Sequence, residues 1–270
     1  MKIIEKLNKS GTYNPLDNED GLFINENFIA VIDGTSKGDL LWNGKPGGRY
    51  IKDTILTSLS KLNEDIDAKG ALEILNNDVR TAYKENYELV RTVISERVEA
   101  SIIIFSRKKQ EIWNFGDCQC MINGIMYAHD KKVDKVLSEV RALYIKLNLL
   151  EGKTQQDIIN SDIGREYILP ILKKQSLFAN STDEEYGFNV LDGLDIIPEN
   201  INVYKVNEGD EIILASDGYP ELKSTLEASE KFLEEVLKKD PLLINDYKPT
   251  KSLTKEKRSF DDRTYIRFIV

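Results

Sequence analysis

An α+β sandwich is the fold this sequence predicts, and three observations carry it. Runs rich in Val, Ile and Phe are joined by short polar turns, as in "GLFINENFIAVI" at 21–32 and "INVYKVNEGDEIILAS" at 201–216; short turns favour antiparallel pairing over the long crossovers of a parallel sheet. Helical spacing is confined to separate blocks, near 49–62, 70–90, 131–175 and 224–240. The resulting order (strands, two helices, strands, helices, strands, helix, strand) does not alternate as a doubly wound fold does.

Taken in order, Asn25-Glu26-Asn27 predicts a hairpin turn, and Asp33 stands at the exit of the second strand. A glycine-rich loop, "DGTSKGDLLWNGKPGG", leads into Ile51, Ile55, Leu56, Leu59 and Leu62 at helical spacing. Residues 99–128 predict two or three strands with a charged turn near Lys108-Lys109, and place Asp117 within a hairpin. "ANSTDEEYGFNVLDG" at 179–193 reads as a surface excursion, its Asp192-Gly193 a turn. Ser224 and Glu227 form a capping box, while Lys238, Lys239 and Pro241 mark the end of that helix. "RTYIRFIV" is a strand entered directly from Asp261-Asp262.

Composition bounds the function. With 41% hydrophobic and 31% charged residues and only 7 prolines in 270 positions, the chain is expected to form one domain over 1–270, with a helical and polar excursion at about 130–200. A net charge of -9, from 37 Lys plus Arg against 46 Asp plus Glu, argues against a nucleic-acid partner. The opening "MKIIEKLNKS" lacks a continuous apolar stretch, so no signal peptide is expected, and no apolar run is long enough to span a membrane. A cytoplasmic monomer is expected. Cys118 and Cys120 fall on one face of a strand; a C-x-C pair can bind a soft metal or bridge, but one histidine, His129, cannot complete a zinc set, and packed reduced thiols are the simpler reading.

Acidic residues recur at strand ends: Glu19-Asp20 before a strand, Asp33 and Asp217 after strands, Asp261-Asp262 before a strand, and Asp117 in a turn. One such aspartate is ordinary. Several gathered at one end of a sandwich would repel one another unless cations lay between them, and carboxylates without His or Cys are the ligands of hard ions such as Mg and Mn. Glycine after Asp33 allows a sharp turn and a backbone carbonyl close to a metal.

"NED" at 18–20, "VIDG" at 31–34, "FGD" at 115–117, "LASDG" at 214–218 and "DDRT" at 261–264 resemble, in order, the signature blocks of metal-dependent protein phosphatases of type 2C. The resemblance implies a four-layer αββα sandwich, two central antiparallel sheets flanked by helices, with a dinuclear site at one edge. It implies Mg or Mn, two ions and in many members a third, and hydrolysis of phosphoserine or phosphothreonine by a metal-activated water. Asp33 would bridge the metals, Asp217 and Asp261 would hold the first, Glu19 and the carbonyl of Gly34 the second, Asp20 would act through bound water, and Asp117 would help bind the third.

Two departures stand out. The arginine that clamps phosphate in the family, four residues before the Glu of the first block, is Pro15 here, and Lys37, Lys45 and Arg49 are the candidate substitutes. The histidine that follows Asp-Gly in many members is Thr35, which leaves leaving-group protonation to metal-bound water. The basic stretch 248–258 is expected to be a solvated loop rather than a phosphate attractor. A P-loop at 38–45 fails on spacing and on Pro46, and a haloacid dehalogenase-like phosphatase fails because Val31 stands where the nucleophilic aspartate belongs. A small phosphoester as substrate, or an inactive binding module, are the alternative functions.

Overall fold

Side-chain alternation along 28–32 divides the interior in two. Phe28, Ala30 and Ile32 belong to one core cluster and Ile29 and Val31 to another, and all five are fully buried. A strand apolar on both faces needs a covered layer on each side, and each such Ile or Phe contributes about 1.5–3 kcal/mol by leaving water.

The structure, a computed structural model, describes residues 1–270. In chain order its elements are β1 (Lys2–Lys9), β2 (Asp20–Ile24), β3 (Phe28–Ser36), α1 (Gly47–Leu59), α2 (Ala68–Ala82), α3 (Tyr87–Thr92), β4 (Val98–Ser106), β5 (Glu111–Phe115), β6 (Gln119–Ile122) and β7 (Ile125–Tyr127). There follow α4 (Lys132–Leu150), α5 (Gln155–Asn160), α6 (Ile163–Leu172), β8 (Asn202–Lys205), β9 (Glu211–Ala215), α7 (Leu226–Lys239) and β10 (Arg263–Ile269). Two five-stranded antiparallel sheets form, ordered β1-β10-β9-β6-β7 and β2-β3-β4-β5-β8. Ile29, Val31, Ile103 and Phe105 of one sheet meet Ile212, Leu214, Ile266 and Phe268 of the other. Helices α1 and α2 cover the outer face of the second sheet, and α7 lies against β1 and β10 of the first. No helix is long and apolar enough to cross a membrane.

Three sequence expectations change, and one strand is added. Strand β3 does not stop at Asp33 but runs on to Ser36, because β4 continues alongside it and pairs Asp33 with Ser101. The short connections β5–β6 and β8–β9 are not hairpins, since each passes between sheets: β5 pairs with β4 and β8, whereas β6 pairs with β7 and β9. Thr225, not Ser224, caps α7, accepting the Ala228 N–H at 3.2 Å. The charged N-terminal segment forms the edge strand β1, whose alternate residues remain in water.

Both cysteines lie buried between the sheets as free thiols. Burial pushes the Cys120 thiol up to about 12 and Cys118 well above its usual range, which leaves them unreactive packing groups.

Asp192-Gly193 is a turn, with Gly193 at φ 72, fixed to α2 by Asn76 Oδ1, which accepts both backbone N–H groups at 3.2 and 2.8 Å. The Asp192 carboxyl is 1% exposed, and burial pushes it up to about 7. Its ionisation on raising the pH therefore opposes folding. Asp192→Asn keeps the Oδ1 that accepts from Leu194 N, and its melting temperature relative to the wild type is expected to rise from pH 5 to pH 8, as the loss that begins near pH 4 is completed near pH 7. Parallel melts at the two pH values check this.

Candidate metal centre

The same alternation that builds the core aims the acids. On β3, residues 29 and 31 face the other sheet, so Asp33 does too, at the end of the inter-sheet space. Asp20 pairs directly with Asp33 across β2 and β3, so two carboxylates stand side by side where like charges destabilise. Ser216 and Thr264 continue the inward rows of β9 and β10, and their hydroxyls donate to Asp20 Oδ2 at 2.6 and 3.1 Å.

One cleft, of about 90 Å³, gathers Glu19, Asp33, Gly34, Thr35, Asp117, Asp217, Asp261 and Asp262 with the cations Lys37, Lys131, Arg165 and Lys251. Asp20 lies behind it, 3% exposed. Asp117 enters from the β5–β6 crossover between the sheets; its carboxylate accepts from the Ser101 hydroxyl and pairs with Lys131 Nζ at 2.8 Å. The two neighbouring acids of 261–262 part company. Asp262 accepts the backbone N–H groups of Gly11 and Glu19, both at 2.7 Å, and so ties the loops together, whereas Asp261 Oδ1 meets Lys251 Nζ at 2.5 Å inside the cleft. A larger hollow of about 620 Å³ lies at the opposite end of the strands, around Asn27, Arg107 and Lys108, and holds no acid cluster.

Close backbone approach explains why both strands carry Asp-Gly. A Cβ on Gly34 would stand 2.3 Å from the Gly48 carbonyl oxygen, and one on Gly218 only 1.9 Å from that of Asp262. Without side chains, the end of β3 settles on the start of α1 and the turn after β9 on the 261–262 segment, bringing Asp33, Asp217 and Asp261 together. Gly218→Ala is accordingly expected to cost about 3 kcal/mol by overpacking. Thermal melts measure it, and unchanged stability would show that the two loops are free to separate.

Electrostatics sets the demand for positive charge. Burial, and then mutual repulsion, hold the carboxyls of Asp20, Asp33 and Asp217 well above the usual range. Burial pushes Glu19 up to about 7, against the pull of Lys251 and the Arg49 backbone N–H. Asp117 goes the other way: burial opposes its ionisation, but Lys131 and Ser101 outweigh it. The donor set is all oxygen, and His129 is elsewhere, bonded to the Tyr204 hydroxyl at 2.5 Å. Hard divalent cations suit such donors. No group of three His, Cys, Asp or Glu side chains is set at ligand geometry, and two ammonium groups rest on the acids instead. The fit therefore rests on charge and donor chemistry; ligation would require the Asp117 and Asp261 side chains to turn from their lysines.

The basic candidates need correction. Lys37 reaches the cleft, but its Nζ is 2.8 Å from the buried Glu99, which neutralises it. Lys45 lies outside, paired with Asp53 at 2.6 Å, and Arg49 donates to the Leu16 carbonyl at 3.0 Å in a separate surface groove beside Pro15. The stretch 248–258 is no free loop: Ser252 N donates to Asp162 at 2.6 Å, and Thr250 and Lys251 line the cleft. Lys131 and Arg165 escaped sequence reasoning, because helix-block cations carry no spacing signal.

Fold and cleft together define an α+β two-sheet protein with an acid-lined pocket where the sheets meet. No family model matches the chain, and no curated protein matches its sequence. Among solved structures the chain is similar to the Mycobacterium tuberculosis serine/threonine phosphatase PstP/Ppp, at 13% identity over 98% of this chain and 97% of that one, TM-score 0.48. It is similar as well to the catalytic domain of the serine/threonine protein phosphatase PstP in complex with two manganese ions, at 13% identity over 100% of both chains, TM-score 0.48. The serine/threonine phosphatase Stp1 of Staphylococcus aureus is a third, at 14% identity over 98% and 94%, TM-score 0.48. Likeness this distant carries no argument about chemistry, which rests on the residues of the cleft.

Proposed function

We propose that this chain is a Mg- or Mn-dependent phosphatase acting on phosphoserine or phosphothreonine. The observation that carries the reading is that Glu19, Asp33, Asp117, Asp217 and Asp261, from five separate segments, line one cleft at the edge between the sheets. Unneutralised, that arrangement costs stability, so it calls for cations. Asp33, Asp217 and Asp261 would hold one ion and Asp33, Glu19 and the Gly34 carbonyl another, with Asp117 as the candidate for a third. Two such ions supply an activated water and neutralise charge on the phosphoryl group. The chain's own part is to fix those ligands: Asp20 is locked by Ser216 and Thr264, and Asp262 clamps the loops bearing Gly11 and Glu19.

A second reading has its own observation. The ion pairs Lys131–Asp117 and Lys251–Asp261 neutralise two candidate ligands internally, which favours a binding module that keeps the fold without turnover. Hydrolysis of p-nitrophenyl phosphate and of a phosphoserine peptide, with Mn and with chelator, separates them. Turnover indifferent to chelator or to Asp217→Asn would refute a metal-dependent phosphatase at this cleft. Stabilisation by Mn without turnover supports the module, and turnover of the aryl ester alone points to small phosphoesters.

A further inference from the structure

Of the four cations lining the cleft, three are in ion pairs: Lys37 with Glu99, Lys131 with Asp117 and Lys251 with Asp261, at 2.8, 2.8 and 2.5 Å. Arg165 is in no ion pair, although the carboxylates of Asp261, Asp134 and Asp162 stand near it. Its Nη1 donates to the Thr250 carbonyl at 3.2 Å and to Thr250 Oγ1 at 2.9 Å, and Nε and Nη2 donate to no protein group. Resting on the phosphatase reading above, we propose that Arg165 is the phosphate clamp of this chain, its guanidinium fork receiving two oxygens of a phosphomonoester in place of the arginine that position 15 lacks.

Two features beyond charge support this. Lys131 and Lys251 would be released only as Asp117 and Asp261 turn to a metal, and each then offers a point charge, whereas the Arg165 fork is already outside any ion pair and matches two phosphate oxygens. The framework around Arg165 is also built to hold it. Asp162, the N-cap of α6, accepts the Arg165 N–H at 3.0 Å and the Ser252 N–H at 2.6 Å, so α6 and the loop carrying Thr250 are tied at one carboxylate. Arg141, fully buried on α4, donates to the carbonyls of Leu242, Leu243 and Pro249 and fixes the same loop from beneath. Gly164 lets α6 settle on that arginine, since a Cβ there would stand 2.8 Å from Arg141 Cγ. A guanidinium positioned by its scaffold loses little side-chain freedom on binding. Pro15, by contrast, faces the groove of Arg49 and brings no cation to the cleft.

The test compares wild type, Arg165→Gln and Arg165→Lys by two readouts: the Kd of inorganic phosphate for the Mn-loaded protein by calorimetry, and KM and kcat for p-nitrophenyl phosphate. Losing a charge-assisted pair should raise Kd and KM by about 10–100-fold in Arg165→Gln while kcat changes by only a few fold. Arg165→Lys should recover part of that loss, as an ammonium cannot reproduce the fork. Unchanged Kd and KM in Arg165→Gln would overturn the assignment, and so would a wild type that binds no phosphate. Phosphate binding that depends on Arg165 without turnover keeps the clamp and overturns the phosphatase; Mn-dependent turnover indifferent to Arg165 does the reverse. Should Arg165→Gln not fold, the Lys variant decides: a Kd raised severalfold supports the clamp and an unchanged one overturns it.

Discussion

Asp33→Asn should abolish Mn-dependent phosphoester hydrolysis, by three orders of magnitude or more, and at the same time raise the melting temperature of the metal-free chain. The two effects have one cause. Asp33 lies opposite Asp20 in the β2–β3 register and shares its cleft with Glu19, Asp117, Asp217 and Asp261. Without metal, burial and repulsion hold several of these carboxyls above the usual range, with Glu19 at about 7. From about pH 4 upward these groups bind more protons in the folded chain than in the unfolded one, up to about pH 7 for Glu19, so their ionisation lowers stability as the pH rises. A neutral isostere at 33 relieves about 2 kcal/mol of this, or roughly 4–8 °C at this chain length. On the proposed function it also removes a carboxylate that would serve both ions. Melts at pH 5 and 8, with chelator and with Mn, read both effects. The variant should gain most at pH 8 with chelator and should lose the rise that Mn gives the wild type. An Asp33→Asn chain that still responds to Mn as the wild type does would show that cations act elsewhere.

Arg141→Met is expected to be the most damaging substitution outside the cleft. The Arg141 side chain is fully buried, its guanidinium donates to three backbone carbonyls of the 242–249 segment, and its Nε lies 3.4 Å from Asp162. Methionine fills much of the volume but leaves those carbonyls and a carboxylate without partners in a low-dielectric interior. The cost should be about 3–5 kcal/mol. Because Asp162 also holds Ser252 and Arg165, the loop bearing Thr250 and Lys251 should loosen before the sheets do. Hydrogen exchange would then show lost protection in 242–252 with β3, β4 and β9 unchanged; a uniform loss across the sheets would show that the excursion and the sandwich melt as one.

What could be read from sequence is the part governed by local periodicity. The runs at 28–32 and 211–215 gave strands, the apolar spacing at 51–62 gave a helix, and acids punctuating those strands marked the cleft end before any contact was known. Arg165 could not be found this way, since its role depends on which cations already have partners. Lys45 and Arg49 misled for the same reason: proximity in sequence to Asp33 does not tell that Asp53 and the Leu16 carbonyl engage them.

The crossovers show where the boundary falls. "NFGDCQC" and "VNEGDE" look like hairpin turns, and only the assembled molecule sends their strands into different sheets, because pairing is settled by which apolar faces can be buried together and not by turn length. That choice carries Asp117 to the junction of the sheets. By itself the sequence determined the central strands, the Asp-Gly junctions and the hard-oxygen donors of the site. Tertiary structure decided which charges there are neutralised and which single guanidinium is left free, because a side chain's charge acts through neighbours that only folding brings within reach.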